Sequence, residues 1–211
     1  IVKEVANGAK RMQLSANHLH VVGRKHFVHA NAESTHTGTT AIAGDAEYNI
    51  FERLDSVIME ASAAQRRKWQ RKVNVLEDRD YKQGCASRGI SKPLLTELCQ
   101  FITVHHPDWT TYDFCKEYVL HITTPFQCSL LNLLEVVVAD ALRNKKAKVA
   151  RQATIFVSHA WSYNTGRLMG SLLELDSNLK NSNFFWIDTI TVSQHQRSDK
   201  PNRGFEWWCG T

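Results

Sequence analysis

Two apolar runs in the second half of the chain each end at polar side chains that can do chemistry. Ser158 and His159 end one run, with Trp161 just beyond, and Asp188 ends the other. A carboxylate at a strand end can accept hydrogen bonds from a ribose hydroxyl. An imidazole titrates near neutral pH and can orient or polarise a ligand, and an indole can stack on a base or nicotinamide ring. These residue types fit a nucleotide ligand.

The same residues also have ordinary structural interpretations, which the sequence leaves open. Asp188 can cap the loop that follows it, because capping uses the same acceptor oxygens as ribose binding. His159 can be a hydrogen-bonded loop residue, and Trp161 can be buried against the next helix. Trp207 and Trp208 fit a core or an interface better than a site.

Two other kinds of site are disfavoured. The adjacent Ser158 and His159 do not form a hydrolase pair, because neighbouring strand residues point to opposite faces and no GxSxG elbow is present. His18 and His20, followed by His26 and His29, have a spacing that can place two imidazoles on one side of a strand. No cysteine or paired carboxylate completes a tetrahedral site there, so we predict no metal centre.

The elements that would position the nucleotide site form a strand, a helix and a second strand. A β-rich apolar run spans residues 153–157, and Phe184–Ile187 is a second one. Between them, apolar residues recur at near-helical intervals, at Leu168, Met169, Leu172, Leu173 and Leu175. A right-handed crossover makes the two strands parallel neighbours and brings the loops after both to one carboxyl edge. We therefore expect five side chains to converge there: Ser158, His159, Trp161, Asp188 and His195.

The rest of the chain divides by pattern into an irregular or weakly ordered segment (1–50), a helical lead-in region (51–148) and the α/β segment (149–211). Helical spacing predicts one helix from Tyr48 to Val75, which then carries a basic run at 66–72 near its C-terminal end. Ser91 and Pro93 predict a second helix start, with Ser91 as the capping residue. Further helices are expected from Thr110 to Pro125 and over residues 129–142.

Composition indicates an ordinary globular protein of the cytoplasm. The 211 residues are 43% hydrophobic and 22% charged, with a net charge of +5. No export signal is visible, and no apolar run approaches the about 20 residues that cross a bilayer. Five cysteines, odd in number and without a CxxC pair, indicate reduced thiols. Both basic runs, at 66–72 and 144–148, are interpreted as solvated ends of elements, which argues against nucleic acid as a partner.

Three segments together resemble the opening of a TIR-like (Toll/interleukin-1 receptor-like) domain of the algal and oomycete type: residues 154–161 (TIFVSHAW), 185–188 (FWID) and 193–195 (SQH). The resemblance extends over about residues 90–211. It implies a parallel, flavodoxin-like sheet of which this chain holds the first β-α-β portion, truncated on its C-terminal side. It also implies six ligand-binding residues: Ser158, His159, Trp161, Asp188, Gln194 and His195.

The resemblance implies an intracellular signalling module that binds or cleaves NAD-type nucleotides, with NAD as substrate or ligand rather than a resident cofactor. The catalytic glutamate of such domains is expected in a later helix, beyond this chain, so no catalytic residue is assigned. A non-catalytic module that self-associates or recruits other TIR-like domains is the alternative. A third alternative is a basic nucleic-acid-binding helical region joined to an unrelated α/β domain.

Overall fold

The computed structural model describes residues 19–23, 27–30, 49–83, 88–140, 149–177 and 183–195. The helices in these ranges are α1 (Ile50–Glu60), α2 (Ala63–Gln83), α3 (Lys92–His105), α4 (Thr111–Asp113), α5 (Leu120–Thr123), α6 (Leu130–Asp140), α7 (Thr165–Ser177) and α8 (Asp188–Thr191). A π-helical turn, Phe114–Val119, joins α4 to α5. No helix in the described ranges is long and apolar enough to cross a membrane.

The described strands form one mixed sheet with the order β2-β1-β5-β6-β3-β4. They are β1 (Leu19–Gly23), β2 (Phe27–Ala30), β3 (Gly89–Ser91), β4 (Ala150–Arg151), β5 (Ile155–Ser158) and β6 (Phe184–Ile187). The pair β5 and β6 is parallel, and the other four pairings are antiparallel. The chain is therefore a mixed α/β protein, as predicted.

The predicted β-α-β unit is confirmed. β5 and β6 run side by side in register, with Ile155 opposite Phe185 and Val157 opposite Ile187. α7 connects them and begins at Thr165, slightly before the first leucine of the predicted apolar stripe. Phe156 of β5 stacks on Trp186, the residue opposite it in β6, with 4.3 Å between the ring centroids. A strand pair buried by helices needs such near-continuous apolar runs, which is why the sequence signal was strong here.

One short strand of the predicted helical region was not foreseen. β3 pairs antiparallel with β6 on one side and with β4 on the other. Gly89 permits this close approach, because a Cβ there would meet the backbone of Phe185 at 2.7 Å. The prediction that Ser91 caps α3 with its side chain was wrong. Ser91 belongs to β3, its hydroxyl makes no capping bond, and its backbone N–H donates to the Val149 carbonyl at 3.1 Å.

The single helix predicted from Tyr48 to Val75 was also wrong, because the chain breaks at Ala61 and Ser62 between α1 and α2. The Ser62 hydroxyl accepts a hydrogen bond from the Gln65 backbone N–H at 3.2 Å. Ser followed three residues later by Gln is a known helix-start pattern, so the sequence did contain this signal. Because α2 continues to Gln83, the basic run lies in its first half and not at its C-terminal end.

Helices of residues 50–140 and the β5–α7–β6 unit share one hydrophobic cluster. α3 packs against α7, and α6 packs against α8. The fully buried members of this hydrophobic cluster include Phe51, Leu98, Phe114, Leu130 and Phe185. The division into units at residue 148 stays a prediction from composition. In the structure, the α/β unit covers part of the apolar faces of these helices.

Candidate ligand site at the carboxyl edge of the parallel strands

The site begins where β5 and β6 end side by side. Val157 and Ile187 lie opposite each other and are buried, so the next residue of each strand reaches the same edge of the sheet. These next residues are Ser158, which is exposed, and Asp188, which begins α8. The convergence that strand direction predicted is therefore present for both.

His159 lies beside Asp188 and is the most enclosed polar group of this edge. Its Nε2 is 3.7 Å from Asp188 Oδ1, and its side chain is 1% exposed against 36% for the aspartate. Within the described ranges, neither ring nitrogen has a hydrogen-bond partner. Burial lowers the pKa of His159, and the nearby Asp188 carboxylate opposes this shift in part. The imidazole is therefore held neutral, with one donor and one acceptor unused.

Two buried threonine hydroxyls, near the starts of α7 and α8, also lack a hydrogen-bond partner in the described part of the chain. Thr165 is the first residue of α7, and Thr189 is the second residue of α8. Both side chains are fully buried, and in the described part of the chain neither hydroxyl has a partner. Buried polar groups are nearly always hydrogen-bonded in native proteins, so such orphans call for a water or a ligand. Thr189 directly follows Asp188 in the chain, so it and His159 mark this edge as a candidate binding site.

Trp161 remains exposed at the rim instead of packing into the core. Its side chain is 42% exposed, and its ring centroid lies 6.4 Å from that of His159. The Tyr112 backbone N–H donates to its carbonyl at 2.9 Å, and the Thr111 hydroxyl donates to the same carbonyl at 2.8 Å. The start of α4 therefore fixes this loop, which leaves the indole available to a ligand.

Gln194 and His195 hold the segment after β6 in place, and their polar atoms are used for that purpose. Gln194 Nε2 donates to the carbonyls of Asp188, at 2.9 Å, and Val192, at 3.0 Å. His195 Nε2 lies 2.7 Å from Thr123 Oγ1, whose own proton is donated to the Val119 carbonyl at 2.6 Å. Nε2 must then carry the hydrogen. Burial lowers the pKa of His195.

The six predicted residues therefore fall into two groups. Ser158, His159, Trp161 and Asp188 lie together at the edge. Gln194 instead bonds to carbonyls of its own segment, and His195 fastens that segment to Thr123 of α5. The second group supports the site without reaching it. Spacing alone cannot separate the two groups, because all six follow the same two strands.

Sequence reasoning missed Cys115, which lies in the π-helical turn behind Asp188. Burial raises the pKa of this thiol to about 11, and the charge of Asp188 adds to the increase. A π-helical turn often occurs at a functional site. Cys115 sits in an ordinary apolar helical pattern, so no sequence signal distinguished it. The raised pKa disfavours the thiolate, so the position does not favour a nucleophilic role.

The structure contains no group of three or more metal-ligating side chains in the ranges it describes. In the backbone register, His20 of β1 lies opposite Ser158 and also opposite His29 of β2. His18 and His26, like Trp207, Trp208 and residues 144–148, fall outside the described ranges. The histidine-cluster interpretation therefore gains no support.

Comparison of the chain with protein-family models, with curated proteins and with solved structures found no match.

Proposed function

We propose that this chain is part of an intracellular, cytoplasmic signalling module of the TIR-like type, and that the β5–β6 edge binds a nucleotide of the NAD class. The observation that carries the proposal is the buried His159, which lies beside Asp188 and whose two ring nitrogens have no hydrogen-bond partner among the residues that the structure describes. An unsatisfied buried imidazole costs free energy, typically about 1–3 kcal/mol for a polar group. A ligand that supplies the missing hydrogen bonds would recover that cost.

The polar groups of the edge suit hydroxyl groups better than phosphates. Asp188 offers carboxylate oxygens, and the neutral His159 offers one donor and one acceptor. A ribose diol supplies both donors and acceptors, whereas a phosphate beside Asp188 would meet like charge. We therefore place a ribose of the nucleotide at this edge, with Trp161 available to stack on the attached ring.

The resemblance to TIR-like domains assigns the binding of NAD and the cleavage of NAD to different parts of such a domain. In TIR-like domains that cleave NAD, the catalytic glutamate belongs to a helix that would follow residue 211. Binding is therefore proposed for the edge described here, and cleavage for a longer form of the protein that supplies this acid. A flavodoxin-like sheet is part of the same proposal. Because β1 and β3 already pair antiparallel with the outer sides of β5 and β6, further parallel strands would extend the sheet at β2 or β4.

Isothermal titration of the 211-residue chain with NAD tests the binding proposal. Wild-type protein should bind, and His159→Phe and Asp188→Asn should each weaken binding at least about tenfold, which corresponds to the loss of about 1.4 kcal/mol. His121→Phe is the matched control, because His121 is exposed and pairs with Asp55 on another surface. Equal binding by all four proteins, or none by the wild type, would contradict the proposal.

A non-catalytic scaffold is the second candidate, and exposed aromatic side chains favour it. Tyr112 is 56% exposed and Trp161 42%, on segments joined by a backbone hydrogen bond. Exposed tyrosine and tryptophan are enriched at protein interfaces. Sedimentation velocity should show a concentration-dependent oligomer that Tyr112→Ala with Trp161→Ala dissociates. A monomer at all concentrations would remove this candidate.

A further inference from the structure

A cluster of five cations covers the outer face of the first half of α2. This basic patch consists of Arg66, Arg67, Lys68, Arg71 and Lys72, all of them exposed. The opposite side of the helix packs into the protein through Trp69, which is 1% exposed and contacts Phe126. The patch is therefore presented outward by a helix anchored in the core.

Local stability does not explain the patch. Like charges one turn apart, as in Arg67 with Arg71 and Lys68 with Lys72, destabilise a helix by about 0.2–0.5 kcal/mol per pair. Cations stabilise the C-terminal end of a helix, but these lie in the half that begins it. The acidic residues of α2 are confined to positions 77–80, beyond the patch.

Among the described ion pairs, one carboxylate offsets part of the positive charge of the basic patch. Asp140, at the end of α6, lies 2.7 Å from Lys68 Nζ and 3.9 Å from Lys72 Nζ. It also accepts a hydrogen bond from Trp69 Nε1 at 2.9 Å, and the pairing with Lys68 lowers its pKa. Arg67 and Arg71 make no ion pair within the described part of the chain. The patch therefore keeps a strong positive excess that an anionic partner can neutralise.

We infer that the basic patch of α2 is a sequence-independent binding surface for the phosphate backbone of nucleic acid. Residues 66–72 rise about 9 Å along the helix axis, and a duplex carries one charge per about 1.7 Å of its axis. That spacing counts both strands, so about two to three phosphates of one strand lie along this length. They match Arg67 and Arg71, which have no ion pair in the described part of the chain, and the partly paired Lys68. This surface is separate from the β5–β6 edge, and the inference does not depend on the proposed nucleotide site.

A membrane surface fits the patch less well. Peripheral membrane helices combine cations with a broad apolar face that enters the lipid. Here the apolar face of α2 is buried through Trp69 and Val73, and exposed apolar residues flank the patch singly, Met59 before it and Val75 after it. Such flanking residues cannot form an inserting face.

The test measures binding of the 211-residue chain to a mixed-sequence 20-base-pair DNA duplex as a function of salt concentration. Arg67→Gln with Arg71→Gln should reduce the slope of log affinity against log salt by about 2, since each phosphate contact contributes about 0.9. The matched control, Lys82→Gln with Arg167→Gln, removes the same charge from exposed positions outside the patch and should keep the wild-type slope.

A thermal melt of each double variant shows whether a loss of DNA binding is caused by a loss of stability. Because Arg67 and Arg71 repel each other, the double variant should melt at or slightly above the wild-type temperature while it binds DNA less tightly. Equal loss in both double variants would overturn the inference, and so would a wild-type chain without salt-dependent binding. Tighter binding to phosphatidylserine vesicles than to DNA would also overturn it, in favour of a membrane partner.

Discussion

Two polar clusters in this protein are buried to a similar degree but satisfied very differently. At the junction of α2, α6 and β3, Arg88 donates to Asp80 at 3.0 Å and to Asn132 at 2.6 Å, and it also pairs with Glu135. At the β5–β6 edge, His159 has the single charged neighbour Asp188 and no hydrogen bond among the described residues.

The junction network joins the ends of secondary-structure elements. Glu77 accepts hydrogen bonds from the Ser129 backbone N–H, just before α6 begins, and from the Asn132 side chain, both at 2.8 Å. Asn132 also donates to Asp80 at 3.0 Å. A network with this many bonds can fix one arrangement of its helices. The junction is not fully satisfied either, since Arg79 Nη2, Arg88 Nη2 and Glu135 Oε2 have no hydrogen-bond partner in the described ranges, although the last two face each other as an ion pair. The difference is that the junction makes many bonds that join its elements, whereas the His159 ring makes none among the described residues.

The largest expected effect comes from breaking the junction. Arg88→Met leaves Glu135 without its cation and leaves Asp80, among the described residues, with Arg79 alone as a cation, at 3.3 Å. Removal of one partner from a buried pair typically costs about 3–5 kcal/mol. We expect a loss near the lower end, about 3 kcal/mol in the free energy of unfolding, because Glu135 is 36% exposed and can be partly hydrated. Urea titration measures it. Arg167→Met, at an exposed position, is the control and should change stability by less than about 0.5 kcal/mol.

At the edge, the same kind of substitution should have little effect on stability. His159→Phe replaces a buried imidazole, which has no hydrogen-bond partner among the described residues, with an apolar ring, and Asp188 keeps its hydrogen bond from the Thr189 backbone N–H at 2.7 Å. We expect a change within about 1 kcal/mol, because no buried partner is left unpaired. If urea titration instead shows a loss as large as that of Arg88→Met, the edge is a structural cluster like the junction, and the comparison fails.

The pH dependence of stability should arise in part at the edge, through His159, and in part outside it, through His195 and through His106, whose pKa burial also lowers. Burial lowers the pKa of His159 and of His195, so the unfolded chain binds protons at a pH where the folded protein does not. Stability is then fully present above the unfolded histidine pKa, near 6.5, and declines as the pH falls below it. Melting temperatures between pH 7.5 and pH 5.5 should fall. They should fall less in His159→Phe, and an identical decline in that variant would assign the effect elsewhere.

The smallest expected effect concerns Cys115. Its pKa of about 11 leaves little thiolate at pH 8, so alkylation in the folded protein should be slow. Asp188→Asn removes the charge that contributes to this increase and should speed alkylation of Cys115 slightly. Peptide mass spectrometry after timed iodoacetamide treatment follows this thiol separately from the other cysteines. A slower reaction in the variant would contradict the proximity of thiol and carboxylate.

The β5–α7–β6 unit was predictable because its signals are local. Apolar runs, leucine spacing and strand-end polarity are all contained in residues 153–188, and crossover handedness supplies the parallel pairing. β3 was not predictable, because three residues, Gly89–Ser91, give no period and are defined by pairing with distant strands. β1 and β2 were missed for another reason: residues 1–50 show no sustained period and were predicted to be irregular, which is wrong for Leu19–Gly23 and Phe27–Ala30.

The candidate site was predictable in position but not in the role of each residue. Sequence order brought Ser158, His159 and Asp188 to one edge, as the structure has them. It could not show that His195 is used by Thr123, which is 72 positions away in the chain. Nor could it show that His159 lacks a partner, since hydrogen-bond satisfaction depends on contacts from several elements.

Nitrogen-15 NMR of the histidine rings tests the central claim, that the His159 imidazole is kept available for a ligand, most directly. Addition of NAD to the 211-residue chain should shift both ring nitrogens of His159, assigned through His159→Phe, while the exposed His121 stays unchanged. Ring nitrogens of His159 that do not move at saturating NAD, or that move only as much as those of His121, would contradict the account.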